Sequence, residues 1–164
     1  MHIAEMMRTF HCLPACDRID LICRILRHCT YYEAMFVGHV MADVSSSQVK
    51  ENPVLEGNAN RTNYYAVFKQ TGLTREVCEK LCHALALLHP DNRPVAEVVF
   101  NLLDDSRVLT SFRDTTDISA LDDYRLLYVM AVNHPVLSFG QRHHLMYTYL
   151  QAMDALYSAK LKSD

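Results

Sequence analysis

The sequence predicts an all-α fold, about eight helices stacked as antiparallel hairpins in one compact domain over 1–164. Three observations predict it. Apolar residues recur at spacings of three and four in nearly every segment, the period that lines one face of a helix. No segment alternates apolar and polar residues as a half-buried strand does. The chain has only four glycines and five prolines, too few to turn the many tight corners of a sandwich or barrel.

The elements follow in order. MHIAEMMRTF carries Glu5 and Arg8 and has no apolar stretch long enough for a signal peptide. From Pro14, tolerated in a first helical turn, Ile19, Ile22, Cys23 and Leu26 recur at helical spacing and leave Arg18, Arg24 and Arg27 for other faces. YYEAMFVGHVMADV, residues 31–44, is a second helix. Residues 45–60, SSSQVKENPVLEGNAN, read as one long loop, with Pro53, Gly57 and little periodicity. TNYYAVFKQTG is helical again and stops at Gly72 in a C-cap role.

TREVCEKLCHALALLH has Thr74 as N-cap and puts Val77, Leu81, Leu85 and Leu88 on one stripe. RPVAEVVFNLLDDSRV begins with Pro94 in its first turn and buries Val98 and Leu102. SALDDYRLLYVMAVNH opens on an approximate capping box, Ser119 to Asp122. The last helix opens on a proper one, Ser138 to Gln141, and runs through Met146, Tyr149, Leu150, Met153 and Leu156. Two His-Pro pairs, His89-Pro90 and His134-Pro135, each join one apolar helix to the next. Their separation matches a helical-hairpin repeat.

Four of the six cysteines fall between Cys12 and Cys29 as C-x3-C-x6-C-x5-C, without the C-x2-C pair of zinc knuckles. Cys16 and Cys23 share a helix face with Ile19 and Leu26, so they read as small apolar residues. With no export signal the cysteines are expected to be reduced in the cytosol, and no metal or cofactor is expected. Adjacent acids, Asp104-Asp105 and Asp122-Asp123, read as capping or solvated groups. No H-E-x-x-H, G-x-S-x-G, phosphate loop or dinucleotide fingerprint is present. The chain is therefore expected not to be an enzyme.

A formal net charge of −3 supplies no broad basic field for nucleic acid. The RNA reading rests on Arg18, Arg24 and Arg27 with the doublets Tyr31-Tyr32 and Tyr64-Tyr65, a helical module contacting single-stranded or hairpin RNA directly. Glu5, Asp17, Asp20 and Glu33 are interleaved with those arginines. Eight methionines and nine tyrosines without a tryptophan suit protein–protein contact better.

Two stretches carry a family resemblance. CDRIDLICRILRHCTYYEAMFVGHVM resembles the start of the N-terminal conserved region of Smaug-type translational repressors, and NHPVLSFGQRHHLMYTYLQAMDAL, with Arg142, resembles its close. The region is similar to that of CCHC zinc-knuckle proteins working with cytoplasmic poly(A) polymerases and of nematode germline translational regulators. The resemblance implies an all-α region that dimerises or docks partners, with RNA read elsewhere by a SAM domain or zinc knuckle, neither of which this chain holds. It implies no catalytic residue.

The resulting expectation is a non-catalytic homodimeric scaffold in mRNA regulation, cytoplasmic and extending to RNP granules. It would bring a poly(A) polymerase or deadenylation factor near a transcript, with RNA contact indirect. Its partner surface is expected on the helical pair 14–43 and the final helix, with Tyr31, Tyr32, Phe36 and Tyr149 as anchors.

Overall fold

The structure is a computed structural model that describes residues 2–48, 52–105, 110 and 118–160. Among them every regular element is a helix: α1 Ile3–Cys12, α2 Ala15–His28, α3 Tyr31–Gln48, α4 Pro53–Ala59, α5 Thr62–Ala66, α6 Phe68–Thr71, α7 Arg75–Leu87, α8 Arg93–Leu103, α9 Ile118–Asn133 and α10 Phe139–Lys160. The all-α expectation holds. α9 is the hub, packed against α2, α7 and α10, while α4 lies on α7 and α5 on α8.

The stripe Val77, Leu81, Leu85 and Leu88 is buried as its spacing predicts, and Cys78, Cys82 and Ala84 widen it. In α8 the inward set is Val95, Ala96, Val99, Leu102 and Leu103. Val98 sits at the boundary, because the three-and-four stepping from Val95 through Val99 to Leu102 passes beside it.

Helix ends follow local chemistry. Thr74 Oγ1 accepts from the Val77 N–H at 3.3 Å, and Asn92 Oδ1 accepts from Val95 at 3.4 Å. Ser138 and Gln141 form the reciprocal box, Ser138 N–H to Gln141 Oε1 at 2.9 Å and Gln141 N–H to Ser138 Oγ at 3.2 Å. Gly72 has φ 70°, a left-handed value that costs glycine nothing. The turn lets Leu73 drop into the core.

The stretch 45–60 is not one loop. α3 continues to Gln48, and Pro53–Ala59 forms α4. Asn52 Oδ1 accepts from the Leu55 N–H at 3.2 Å, with Pro53 in the first turn. The Asn-Pro pair that reads as a turn is a capped helix start, where a proline has no N–H to waste. The capping side chain of Ser119 lies outside the described residues.

Three buried tyrosines satisfy main-chain carbonyls at the ends of elements. Tyr65 donates to Ala59 at 2.7 Å, Tyr128 to Leu103 at 2.7 Å, and Tyr124 to Leu73. Ala59 and Leu103 are the last residues of α4 and α8, where terminal carbonyls have no partner within the helix. Asn60 fastens α4 to the α7–α8 connection: its amide donates to the Leu87 carbonyl at 3.0 Å and its Oδ1 accepts from the His89 N–H at 2.9 Å.

Candidate interaction surface

α2 ties the N-terminal helices to the core. Cys16 is buried, and Ile19, Cys23 and Leu26 are half-buried on the same side. Ile22 falls instead with Leu21 and Ile25 on the outer face, since it lies a full turn after Arg18 and not on the Cys16–Cys23 line. Burial raises the pKa of Cys16, opposed by Arg125. Arg125, on α9, donates to Asp17 Oδ1 of α2 at 2.9 Å and to Asp122 at 3.1 Å. At the other end of α2, Arg27 donates to Asn133.

α1 and α3, the helices before and after this anchored one, leave their apolar residues largely uncovered, along one side in α1 and all round the helix in α3. In α1, Ile3, Met6, Met7 and Phe10 stand at i, i+3, i+4 and i+7, one stripe of an amphipathic helix, yet the helix contains no buried residue. Ile3 is 76% exposed. α3 starts on a box that the sequence reading passed over, T-x-x-E. Thr30 N–H donates to Glu33 Oε2 at 2.7 Å, and Thr30 Oγ1 accepts from the Glu33 N–H at 3.4 Å. The backbone and side-chain bonds from Thr30 lower the Glu33 pKa. Beyond it Tyr31, Tyr32, Met35, Phe36, Val40, Met41 and Val44 are all exposed, Tyr32 to 82% and Phe36 to 69%.

Of the four expected anchors, Tyr31, Tyr32 and Phe36 share α3 and stand in solvent. Tyr149 is elsewhere: half-buried on α10, it stacks on Tyr128 with ring centroids 5.8 Å apart and bonds Arg125. The three arginines of the RNA reading do not form one face. Arg18 donates to the Leu13 carbonyl at 2.7 Å, Arg24 pairs with Asp20 at 2.7 Å, and Arg27 reaches Asn133. Tyr64 and Tyr65, the second doublet, belong to the core and its edge.

The remaining chemistry is inward and quiet. Burial pushes Cys78 and Cys82 up to about 12, the opposite of an activated thiol. Among the described residues no three His, Cys, Asp or Glu side chains converge as metal ligands, and no helix is long and apolar enough to cross a membrane. The two His-Pro pairs diverge. His89 is exposed and meets Glu56 at 2.8 Å. His134 is half-buried: its Nε2–H donates to the Leu85 carbonyl at 3.0 Å, while Nδ1 accepts from the Val136 N–H at 3.1 Å.

Met35, Val40 and Met41 lie on the expected helical pair 14–43 though not among its anchors, and the apolar stripe of α1, Ile3, Met6, Met7 and Phe10, is the part of the surface that sequence reasoning missed. Their helical spacing was readable, but spacing says that a side is apolar and not whether the fold covers it.

Against known proteins, a family model described as the SMAUG-like PHAT domain matches residues 53–155, well over half the chain. The span coincides with the core just described and excludes α1, α2 and α3. The match ties the chain to a regulatory, RNA-associated family and to no known enzyme family. No curated protein and no solved structure matches.

Proposed function

We propose that this chain, which belongs to the SMAUG-like PHAT domain family, is a non-catalytic scaffold of post-transcriptional mRNA regulation that self-associates through α1 and α3. The observation that carries the reading is the contrast between two parts of one molecule. Buried residues between Ala59 and Met153 close a core around α9, whereas the exposed apolar residues of α1 and α3 belong to none of it. Exposed apolar surface on this scale marks an association site. A second copy is the occupant that suits it, because the same two helices then cover each other about a two-fold axis and no foreign partner is required.

The partner on the transcript side is a cytoplasmic poly(A) polymerase or deadenylation factor, held near the mRNA so that its local concentration rises. In a cytoplasmic reporter assay the chain is tethered to an mRNA and poly(A)-tail length is read. The expected result is a changed tail length that disappears when Tyr32 and Phe36 are both replaced by glutamate. An unchanged tail with the wild-type chain, or an effect indifferent to those substitutions, contradicts the reading.

A further inference from the structure

A pocket of about 320 Å³ opens where the end of α2 meets α9 and the first turns of α10, lined by Arg27, Val132, Phe139, Arg142, His143 and Met146. Its composition is divided. Val132 and Met146 supply apolar wall, while two guanidinium groups and an imidazole supply polar donors, and no carboxylate lines it. Arg27 is held by a neutral partner, the Asn133 amide oxygen, and so keeps its full charge for a ligand. Among the described residues Arg142 has no carboxylate partner. Phe139 is 77% exposed and stacks on His143 with ring centroids 6.1 Å apart. The ring stands at the mouth of the pocket beside Arg142 and His143, where it offers an apolar face next to the cations.

We propose that this pocket docks a partner peptide segment in which Asp or Glu flanks an aromatic or aliphatic anchor. The anchor enters between Phe139, Val132 and Met146, and the carboxylates meet the arginine forks, which match planar carboxylates in pairs of hydrogen bonds. A nucleic-acid strand fits less well. Sequence-tolerant strand binding needs a basic groove that tracks several phosphates. Here Arg18 is turned onto the Leu13 carbonyl, Arg24 is neutralised by Asp20, and the chain carries net −3. The cations gather in one place, as a short motif requires.

The inference deepens the scaffold reading and rests on it, but the pocket is separate from the faces of α1 and α3, so the two fail independently. A random-peptide phage library is selected on the full chain and counter-selected on the Arg142→Glu variant. Surviving peptides are then measured by fluorescence anisotropy, with labelled oligouridylate as competitor. The expected survivors combine acidic residues with an aromatic or aliphatic residue. Arg142→Glu weakens them about tenfold or more, Phe139→Ala also weakens them, and neither changes the thermal melt or the oligomeric state. The proposal is overturned if no peptide survives counter-selection or if survivors lack acidic residues. It is equally overturned if oligouridylate binds more tightly and is lost with Arg142→Glu, which makes the pocket a nucleic-acid site. Loss of the dimer with the pocket intact contradicts only the self-association reading.

Discussion

At the scale of single residues, the buried tyrosine hydroxyls of this helical stack satisfy main chain. Tyr65, Tyr124 and Tyr128 each place a ring in the core and an O–H on a carbonyl. This explains why tyrosines can be spread around α9 without lining an interface. His134 does the same with both nitrogens. Because Nδ1 already accepts from Val136, a proton there would face a donor, and burial lowers the His134 pKa below its ordinary 6.5. Above the ordinary value both folded and unfolded forms are neutral and nothing is lost. As the pH falls through it the unfolded chain takes up the proton first, so stability declines until the lowered native value is passed. Between about pH 7 and pH 5 the melting temperature is expected to fall. The His134→Gln variant, which keeps a donor for Leu85, should show a shallower fall. Equal slopes for the two proteins would mean that His134 titrates freely.

At the scale of elements, most helices were legible because periodicity and caps agree. Thr74 with the Val77 stripe, Asn92-Arg93-Pro94 and the Ser138–Gln141 box each state a start and a buried side in the same few residues. α4 was lost because Asn52-Pro53 and Gly57 carry turn chemistry, and only the Asn52 bond to Leu55 shows that the turn is a cap. The two His-Pro pairs share a sequence pattern but not a job, since His89 meets a surface glutamate and His134 a helix-end carbonyl. A repeat in sequence is therefore a repeat in topology only. α9 as the hub was not readable at all: its apolar residues run all round the helix, and three neighbours decide which of them are covered. Leu127 of α9, 1% exposed, belongs to the buried core. Leu127→Ala is expected to cost about 2–5 kcal/mol of unfolding free energy in chemical denaturation. Phe36→Ala should change the stability of an isolated protomer by only about 0.5 kcal/mol. Comparable losses at the two sites would show that α3 packs into the fold.

At the scale of the whole molecule, the chain has a closed part and an open part. The PHAT-matched span contains nearly all of the buried core, and α2, clamped through Arg125–Asp17 and Arg27–Asn133, joins to it α1 and α3, whose apolar residues are largely exposed. A sequence shows which sides are apolar, but coverage is a property of the assembled fold, and Tyr149 illustrates the limit. It matches Tyr31, Tyr32 and Phe36 in aromatic character, yet only those three stand in solvent. The most direct test of self-association is sedimentation velocity of the wild-type chain beside the Tyr32→Glu/Phe36→Glu double variant over a range of concentrations, with helix content read on the same samples. The account predicts a concentration-dependent dimer for the wild type and a monomer of unchanged helicity for the variant. A wild type that stays monomeric throughout, or a variant that dimerises equally well, would contradict it.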